Sequence, residues 1–243
     1  MALFLQSAGR KFLSFSSSRK IASVAQLVSQ SHHHHHHHPK TAFQTRSYIS
    51  EMRKSAFEGN ILRILRTEIQ YQSEYAPPKE PAMEFESFTV ENKSGEQWIR
   101  LRCKYGEKED IKIEVTMFDG AVQAPKAGDS DKEDDMKLHI SLIVDVSKGE
   151  KCDNVLEFIC SAWPDSLEIQ KVFMLKRDRM AVKPFVGPNF KDLDDELQEA
   201  LYGFLEARRV NDDLAVFLHD YMMNKDRIEL IRWLGNVKSF IEN

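Results

Sequence analysis

The sequence lacks the features of a disulfide-stabilised, membrane-spanning or catalytic chain. Its three cysteines, Cys103, Cys152 and Cys160, are odd in number and widely spaced, which excludes a complete disulfide framework and a CxxC metal site. No run approaches the roughly 18 to 20 apolar residues that a membrane-spanning helix needs. The glycine-rich phosphate-binding, nucleophile-elbow and HExxH signatures are also missing. We therefore predict no cofactor, no metal, no small-molecule substrate and no enzymatic activity.

The first acidic residue of the chain is Glu51, so the N-terminal region contains none. Residues 1–46 contain six basic residues. Serines and interrupted apolar positions accompany these basic residues, which is typical of an organelle transit peptide. We expect residues 1–48 to be a mitochondrial transit peptide, and its histidine tract 32–38 to be low-complexity filler. The remainder, residues 49–243, is expected to be one folded domain in the mitochondrial matrix.

Loss of that leader would change the charge balance of the protein. The whole chain has 34 basic and 38 acidic residues, which gives a formal net charge of -4. Without the six basic residues of the leader, 28 basic residues face 38 acidic ones, and the net charge becomes -10. Such a domain attracts basic partners over long distances and repels bare nucleic acid.

The hydrophobic periodicity predicts an α+β fold. Apolar residues recur every three or four positions over 51–75, over about 190–208 and over 212–242, which predicts three helices. Between the first two, apolar and polar residues alternate along six segments joined by short links. Short links favour an antiparallel meander over a parallel sheet, which needs long crossovers. The six predicted strands are 84–91, 99–104, 111–117, 136–146, 153–162 and 166–175.

One link in the predicted sheet is long and acidic. Residues 119–135 contain glycine, proline and clustered carboxylates, so we expect a solvated loop. The loop lacks the ligand spacing of an EF-hand, and weak calcium binding is kept only as an alternative. The candidate site for basic partners in this loop consists of Asp129, Asp131, Glu133, Asp134 and Asp135.

Other polar residues support weaker interpretations. His139 and His219 are lone histidines, and the sequence pairs neither of them with a cysteine. They are therefore weak candidates for catalysis. A basic strand face with aromatic residues nearby favours RNA binding as the alternative function. That face contains Arg100, Arg102, Lys104 and Lys112.

An ordered set of short motifs fills about the last 60 residues of the chain. The set resembles the mitochondrial glycoprotein family, also called the mitochondrial acidic matrix protein family, in a plant-type form. Animal members of this family are known as receptors for the globular heads of complement's first component. The motifs are Gly187-Pro188, Phe190, Leu193-Asp194, Leu197-Gln198, Phe204-Leu205-Glu206, Arg208, Leu214, Phe217-Leu218, Tyr221, Lys225, Trp233-Leu234 and Phe240.

This resemblance implies a strongly twisted antiparallel sheet of about seven strands, with one N-terminal helix and two C-terminal helices. It also implies a doughnut-shaped homotrimer with one acidic face. The implied function is a chaperone-like scaffold that captures basic proteins. Such a scaffold would support oxidative phosphorylation and the assembly of mitochondrial ribosomes or complexes. The residues expected to pack between subunits are Phe57, Ile61, Leu65, Trp233, Leu234 and Phe240.

One position departs from the family's pattern. Arg209 lies between the last two predicted helices, where the family usually has a glycine. Glycine adopts the left-handed backbone conformation without penalty, whereas arginine there costs on the order of 1 kcal/mol. Either the turn has another geometry, or the strain is tolerated.

Overall fold

The protein combines one long N-terminal helix, a sheet and two C-terminal helices. It divides into two compact units, Met1–Arg63 and Ile64–Asn243, and the division falls inside the first helix. None of the helices described combines the length and apolar composition that a membrane span requires. The structure is a computed structural model that describes residues 41–75, 77–123, 136–149, 153–176, 185 and 187–243.

Seven strands and three α-helices follow one another in the order that the predicted fold requires. A short 3-10 turn, Phe190–Asp192, precedes the second helix. The elements are α1 (Thr41–Tyr75), β1 (Glu84–Phe85), β2 (Phe88–Asn92), β3 (Trp98–Tyr105), β4 (Glu109–Gln123), β5 (Met136–Lys148), β6 (Asn154–Trp163), β7 (Ser166–Lys176), α2 (Asp195–Glu206) and α3 (Asp212–Glu242).

Helix α1 begins earlier than its periodicity predicts. The apolar pattern places its start at residue 51, whereas it begins at Thr41, two residues after Pro39. The helix ends at Tyr75, ahead of Pro77. The boundary at residue 48 between transit peptide and mature domain stays a prediction.

The sheet is an antiparallel meander, as predicted. Its strand order is the chain order, from β1 to β7. Ile113 of β4 pairs with Val144 of β5, which in turn pairs with Phe158 of β6. These paired positions are fully buried, so the alternation in sequence sets one continuous apolar face.

The seventh strand comes from the segment 84–91, which was predicted as a single strand. Phe85 pairs with Phe88 across a two-residue turn, so β1 and β2 form a hairpin. Glu86 takes a positive φ of 49° in that turn. Such turns usually carry glycine or asparagine, so the dipeptide Glu86-Ser87 did not indicate a turn between two strands.

Strand β4 is longer than predicted. It reaches Gln123, so residues 119–123 belong to the sheet and not to the acidic loop. Its pairing with β5 shifts between Val115 and Phe118 and again between Phe118 and Gly120. These bulges interrupt the alternation of apolar and polar residues, which explains why the sequence pattern ends early.

One face of the sheet forms the core with α2 and α3. Helix α3 contacts β4, β6 and β7, and Leu214, Leu218 and Met222 are its fully buried residues on that side. We call the opposite face of the sheet the outer face. It carries the polar positions of the alternating strands, including Arg100, Lys112 and Asp145.

The region predicted as a helix over 190–208 begins with the 3-10 turn and continues as α2. Asp194 caps α2, since its side chain accepts a hydrogen bond from the main-chain N–H of Glu196. Asn211 caps α3 in the same way, since its side chain accepts a hydrogen bond from the main-chain N–H of Leu214.

The turn between α2 and α3 has the geometry that glycine usually provides. The N–H of Val210 bonds to the carbonyl of Leu205, and the N–H of Arg209 bonds to that of Glu206, which is a Schellman motif. Arg209 has φ of 63°, so it adopts the left-handed conformation. The sequence left open whether the turn has another geometry or the strain is tolerated. The structure shows the left-handed turn, so the strain at Arg209 is tolerated.

Candidate functional site

The predicted acidic site falls outside the described residues. All five candidates, Asp129, Asp131, Glu133, Asp134 and Asp135, lie in the segment 124–135, between β4 and β5. Their assignment as the site for basic partners stays a prediction.

A second acidic surface lies on the described part of the chain. It covers the 3-10 turn and the first turns of α2, and its carboxylates are exposed. Leu197 and Tyr202 add exposed apolar area on the same helix. Carboxylates at this position also stabilise the helix locally, because negative charge favours helix N-termini. We call this the α2 acidic surface; its carboxylates are Asp192, Asp194, Asp195, Glu196 and Glu199.

The six residues predicted to pack between subunits divide into two groups. Trp233 and Phe240 on α3 are 54% and 84% exposed, and Phe57 of α1 is also exposed. Leu65 and Leu234 are already buried within the chain, while Ile61 is half-buried. The exposed aromatic residues are therefore the part of the set that another molecule can contact.

The basic strand face predicted as the RNA alternative lies on the outer face, and its charges are paired. Arg100 approaches Glu114 at 2.8 Å, and Arg102 approaches Glu91 at 2.9 Å. Lys112 also has a partner, Asp145. Cross-strand pairs of this kind neutralise the face, and they leave little positive charge for phosphate groups.

The same face contains a groove of about 850 Å³, whose lining mixes both signs of charge. The lining contains four cations and two carboxylates, and three of the cations are ion-paired with acids of neighbouring strands. The mixed charge of the groove therefore gives no further support to RNA binding on this face. Its charged residues are Arg102, Lys104, Lys112, Lys176, Asp110 and Asp145.

On the outer face, one carboxyl group of a neighbouring pair has a strongly raised pKa. Glu157 of β6 lies opposite Asp145 of β5. Burial, and then the negative charge of Asp145, raise the pKa of Glu157 to about 7. A protonated Glu157 donates a hydrogen bond to Asp145, whose Oδ1 atom has no other partner among the described residues. The pair thus shares one proton over the acidic range of pH.

The two histidines have different surroundings. His219 is buried under the sheet and its Nε2 atom lies 3.1 Å from the carbonyl oxygen of Ala162; burial lowers its pKa. His139 lies on the outer face, with Nδ1 2.7 Å from Asp119 and Nε2 2.7 Å from the hydroxyl of Ser161. The sequence missed this second arrangement because Asp119 was assigned to the loop. A glycine and an aspartate inside a strand pattern were the available signal of a bulge.

The two described cysteines differ in how far they are buried. Cys160 is buried, and burial raises the pKa of its thiol to about 12, so it is inert at neutral pH. Cys103 is half-buried, and burial raises its pKa as well. Cys152 lies outside the described residues.

The family is shown by comparison with known sequences. Residues 65–241, which contain the whole sheet and nearly all of α2 and α3, match the sequence model described as mitochondrial glycoprotein. The chain belongs to the mitochondrial glycoprotein family.

Two relatives give the family its cellular setting. An uncharacterized mitochondrial protein of Arabidopsis thaliana is 31% identical over 92% of this chain and 90% of its own length. The mitochondrial acidic protein mam33 of Schizosaccharomyces pombe is 24% identical over 81% of this chain and 84% of its own length. This member of the family is accordingly a mitochondrial matrix protein, and its acidity is shared with the yeast protein.

Solved structures support the fold. The Trypanosoma brucei p22 protein has a TM-score of 0.62 at 21% identity, covering 76% of this chain and 99% of its own. A Leishmania major protein described as a sequence homologue of human p32 has a TM-score of 0.59 at 17% identity, covering 76% of this chain and 98% of its own. The seven-stranded antiparallel sheet with its one N-terminal and two C-terminal helices is thus confirmed.

Proposed function

We propose that this mitochondrial protein is a non-enzymatic, chaperone-like scaffold that captures basic proteins of the matrix. In this role it supports oxidative phosphorylation and the assembly of mitochondrial ribosomes or complexes. The observation that carries the proposal is the α2 acidic surface, where carboxylates cluster without cationic partners on the same helix. The acidic loop 124–135 would extend the same kind of surface.

The charge around α2 and the start of α3 is strongly one-sided. Residues 190–213, from the 3-10 turn to the start of α3, contain eight carboxylates against Lys191, Arg208 and Arg209. Arg208 is buried and its guanidinium is bound to Glu109 at 2.7 Å, so it does not offset the surface charge. A negative surface of this kind accelerates the encounter with basic partners and gives low specificity. Leu197 and Tyr202 supply apolar contact once a partner has arrived.

The proposal includes assembly into a homotrimer. Trp233 and Phe240 are large apolar side chains left uncovered near the end of α3. Exposed aromatic residues of this size are typical of interaction surfaces, since a monomer gains nothing by presenting them to water. A trimer would cover them and would place several acidic surfaces on one particle. Multivalent display then raises the apparent affinity for basic partners without any new contact.

The test compares charge reversals at matched net charge. One variant changes Asp195, Glu196 and Glu199 to lysine, and a control changes three exposed acids elsewhere, Glu84, Glu107 and Asp153, to lysine. Binding of a fluorescent lysine- and arginine-rich peptide is titrated at low and at high salt, and matrix proteins captured by each variant are identified by mass spectrometry.

We expect the α2 variant to lose peptide affinity by about tenfold at low salt, with little loss in the control. Circular dichroism checks that both variants fold. A third variant with lysine at Asp129, Asp131 and Glu133 tests the loop separately. Equal losses of peptide affinity in all three variants would show that net charge alone determines binding. Unchanged affinity in all three would show that these surfaces do not capture basic proteins.

A further inference from the structure

Three side chains on the outer face form a continuous hydrogen-bonded chain. The hydroxyl Oγ of Ser161 lies 2.7 Å from Nε2 of His139, and Nδ1 of the same ring lies 2.7 Å from Oδ1 of Asp119. Thr116 donates a further hydrogen bond to Oδ2 of Asp119 at 3.1 Å. Burial alone would raise the pKa of Asp119, but hydrogen bonds from Ser141, His139 and Thr116 hold it below its usual value. The aspartate therefore stays ionised beside the imidazole.

The backbone is shaped to bring these three side chains together. Asp119 lies inside the double bulge of β4, between Phe118 and Gly120, which pair with Ile140 and His139. Bulges re-aim side chains, and here the extra residue of the bulged strand is the aspartate. Glycine suits position 120 beside it, because a Cβ atom there would lie 3.3 Å from Cβ of His139, which is a tight contact.

The imidazole is also held from the other side. The indole of Trp163 packs on His139 with ring centroids 4.9 Å apart. Three adjacent strands thus supply one group each: Asp119 from β4, His139 from β5 and Ser161 from β6. Because strands are rigid supports, the spacing is set by the sheet and not by a loop.

We propose that Ser161 is a nucleophile activated by His139 and positioned through Asp119, and that it accepts the acyl group of small esters or thioesters. Asp119 accepts a hydrogen bond from the Nδ1–H group, which fixes the tautomer whose Nε2 atom is free to accept the hydroxyl proton of Ser161. Ser161 and His139 contact the reacting atoms, and Asp119 orients the ring.

The reaction is an acyl transfer in which every atom is accounted for. Oγ of Ser161 attacks the acyl carbon as its proton passes to Nε2 of His139, and a bond forms between Oγ and that carbon. The bond from the carbon to the departing oxygen or sulfur then breaks, and His139 returns the proton to the leaving group. The products are an acylated Ser161 and an alcohol or thiol.

The surroundings predict slow acylation. Ser161 pairs with Ser141 on one side and with Glu168 on the other, so the main-chain N–H groups near it serve the sheet. They are not directed at a developing oxyanion, whose stabilisation is usually the largest contribution to acyl-transfer catalysis. Ser161 is also only 7% exposed, which restricts the reaction to small acyl groups. We therefore expect stoichiometric modification instead of rapid turnover.

The experiment treats the folded full-length protein with a small fluorophosphonate and, separately, with p-nitrophenyl acetate. Intact mass and peptide mapping then locate the adduct. We expect one adduct on Ser161 and none in Ser161→Ala. Ser147 is the internal control: it is 6% exposed on the same face, but its hydroxyl bonds to the main-chain oxygen of Asp110 and has no histidine.

The role of the histidine is tested by His139→Gln and Asp119→Asn. Each should slow labelling on the order of 100-fold while near-UV circular dichroism stays unchanged. Labelling rates of the wild-type protein and both variants are compared at several pH values between 6 and 9. The charged groups near this ring are Asp119 on β4, Lys137 on β5, Asp165 in the β6–β7 turn and, across the sheet, His219 on α3.

Two results would overturn the proposal. If the wild-type protein is folded and Ser161 takes up neither reagent between pH 6 and 9, the hydrogen-bonded chain only stabilises the bulge. If Ser161 is labelled at the same rate in His139→Gln, its reactivity does not depend on the histidine.

Discussion

At the scale of single residues, the two described non-glycine residues with positive φ lie next to each other in space. Glu86 in the β1–β2 turn and Arg209 in the α2–α3 turn both adopt the left-handed conformation. Nε of Arg209 lies 3.6 Å from Oε2 of Glu86. Both side chains are largely exposed, so this ion pair contributes little to offset the backbone strain. The turns are held in place by the elements they connect.

Replacement of Arg209 by glycine should therefore stabilise the protein. Glycine removes the left-handed penalty but gains entropy in the unfolded chain, which leaves a net increase of about 0.5 to 1 kcal/mol in the free energy of unfolding. For a domain of this size that is a rise of roughly 1 to 4 °C in Tm. Urea and thermal unfolding measure it.

Arg209→Ala is the matched control, because it loses the same ion pair and keeps the strained backbone. It should bring no gain in stability. If Arg209→Gly were no more stable than Arg209→Ala, which lacks the same ion pair, the left-handed conformation would carry no strain that glycine relieves.

The raised pKa of Glu157 gives a pH dependence with a definite sign. The folded state holds its proton up to about pH 7, whereas the unfolded chain releases it near 4.5. The folded state thus binds more protons in this window, and stability falls as pH rises from about 4.5 to 7. Above that window, both states are ionised and the loss is complete.

Glu157→Gln keeps a donor for Asp145 and removes the titration. We expect it to be about 1 kcal/mol more stable than the wild-type protein at pH 8, after discounting for solvent screening, and equal to it at pH 4. Urea unfolding at both pH values and one protein concentration measures the difference. Glu91→Gln, which removes an ion-pair partner of Arg102, should show no gain at pH 8. An equal effect of Glu157→Gln at both pH values would contradict the assignment.

At the scale of secondary structure, alternation predicted six of the seven strands, and helical spacing predicted all three helices. The features that these patterns could not predict depend on backbone geometry that no residue type in the sequence indicates. The Glu86-Ser87 turn divides one predicted strand into two without a glycine or asparagine. The bulges of β4 hide the strand character of Asp119, and with it the partner of His139. The outer-face ion pairs depend on cross-strand register, which single-strand patterns do not specify.

Helix α2 is anchored to the sheet by a buried ion pair. Nε and Nη2 of Arg208 donate to Oε2 of Glu109 at the start of β4, and Nη1 donates to the carbonyl of Phe204. The guanidinium stacks on the ring of Phe204, 3.4 Å from its centroid. Planar stacking and forked donation favour arginine over lysine here. The pair fixes the end of α2 against the first residues of β4.

Arg208→Ala should lower the free energy of unfolding by about 3 kcal/mol, because it leaves Glu109 largely buried without its partner. Arg102→Ala removes an exposed partner of Glu91 and should cost less than about 1 kcal/mol. Replacing both buried partners, in Arg208→Met with Glu109→Leu, should recover most of the loss. Chemical denaturation compares the four proteins. Arg208→Ala removes both the ion pair and the stacking on Phe204, so a small effect would show that neither contact holds the helix end.

At the scale of the whole molecule, two surfaces of different chemistry follow from one short C-terminal segment. The start of α2 presents carboxylates, and the end of α3 presents Trp233 and Phe240. Carboxylates favour helix N-termini and need no partner, so the acidity of α2 persists in any state of assembly. The exposure of the aromatic residues to water, in contrast, is unfavourable. Their burial between subunits therefore favours association. Assembly and capture should therefore respond differently to salt.

The final prediction separates these two contributions. Trp233→Ser with Phe240→Ser should shift the protein toward monomers, whereas Leu234→Ser, at a buried neighbouring position, should lower the free energy of unfolding. Native mass spectrometry and sedimentation measure the mass, and circular dichroism measures the fold. Association driven by apolar burial should survive high salt, while capture of a basic peptide should not.

If avidity contributes to capture, the monomeric variant should keep its affinity for a short basic peptide. Its affinity for a long or surface-immobilised basic ligand should fall by about 100-fold, because only an assembled particle engages such a ligand at several points. Equal losses for both ligands would mean that Trp233 and Phe240 contact the partner directly. An unchanged mass together with unchanged binding would remove these residues from the assembly altogether, and the acidic surface of each subunit would then act alone.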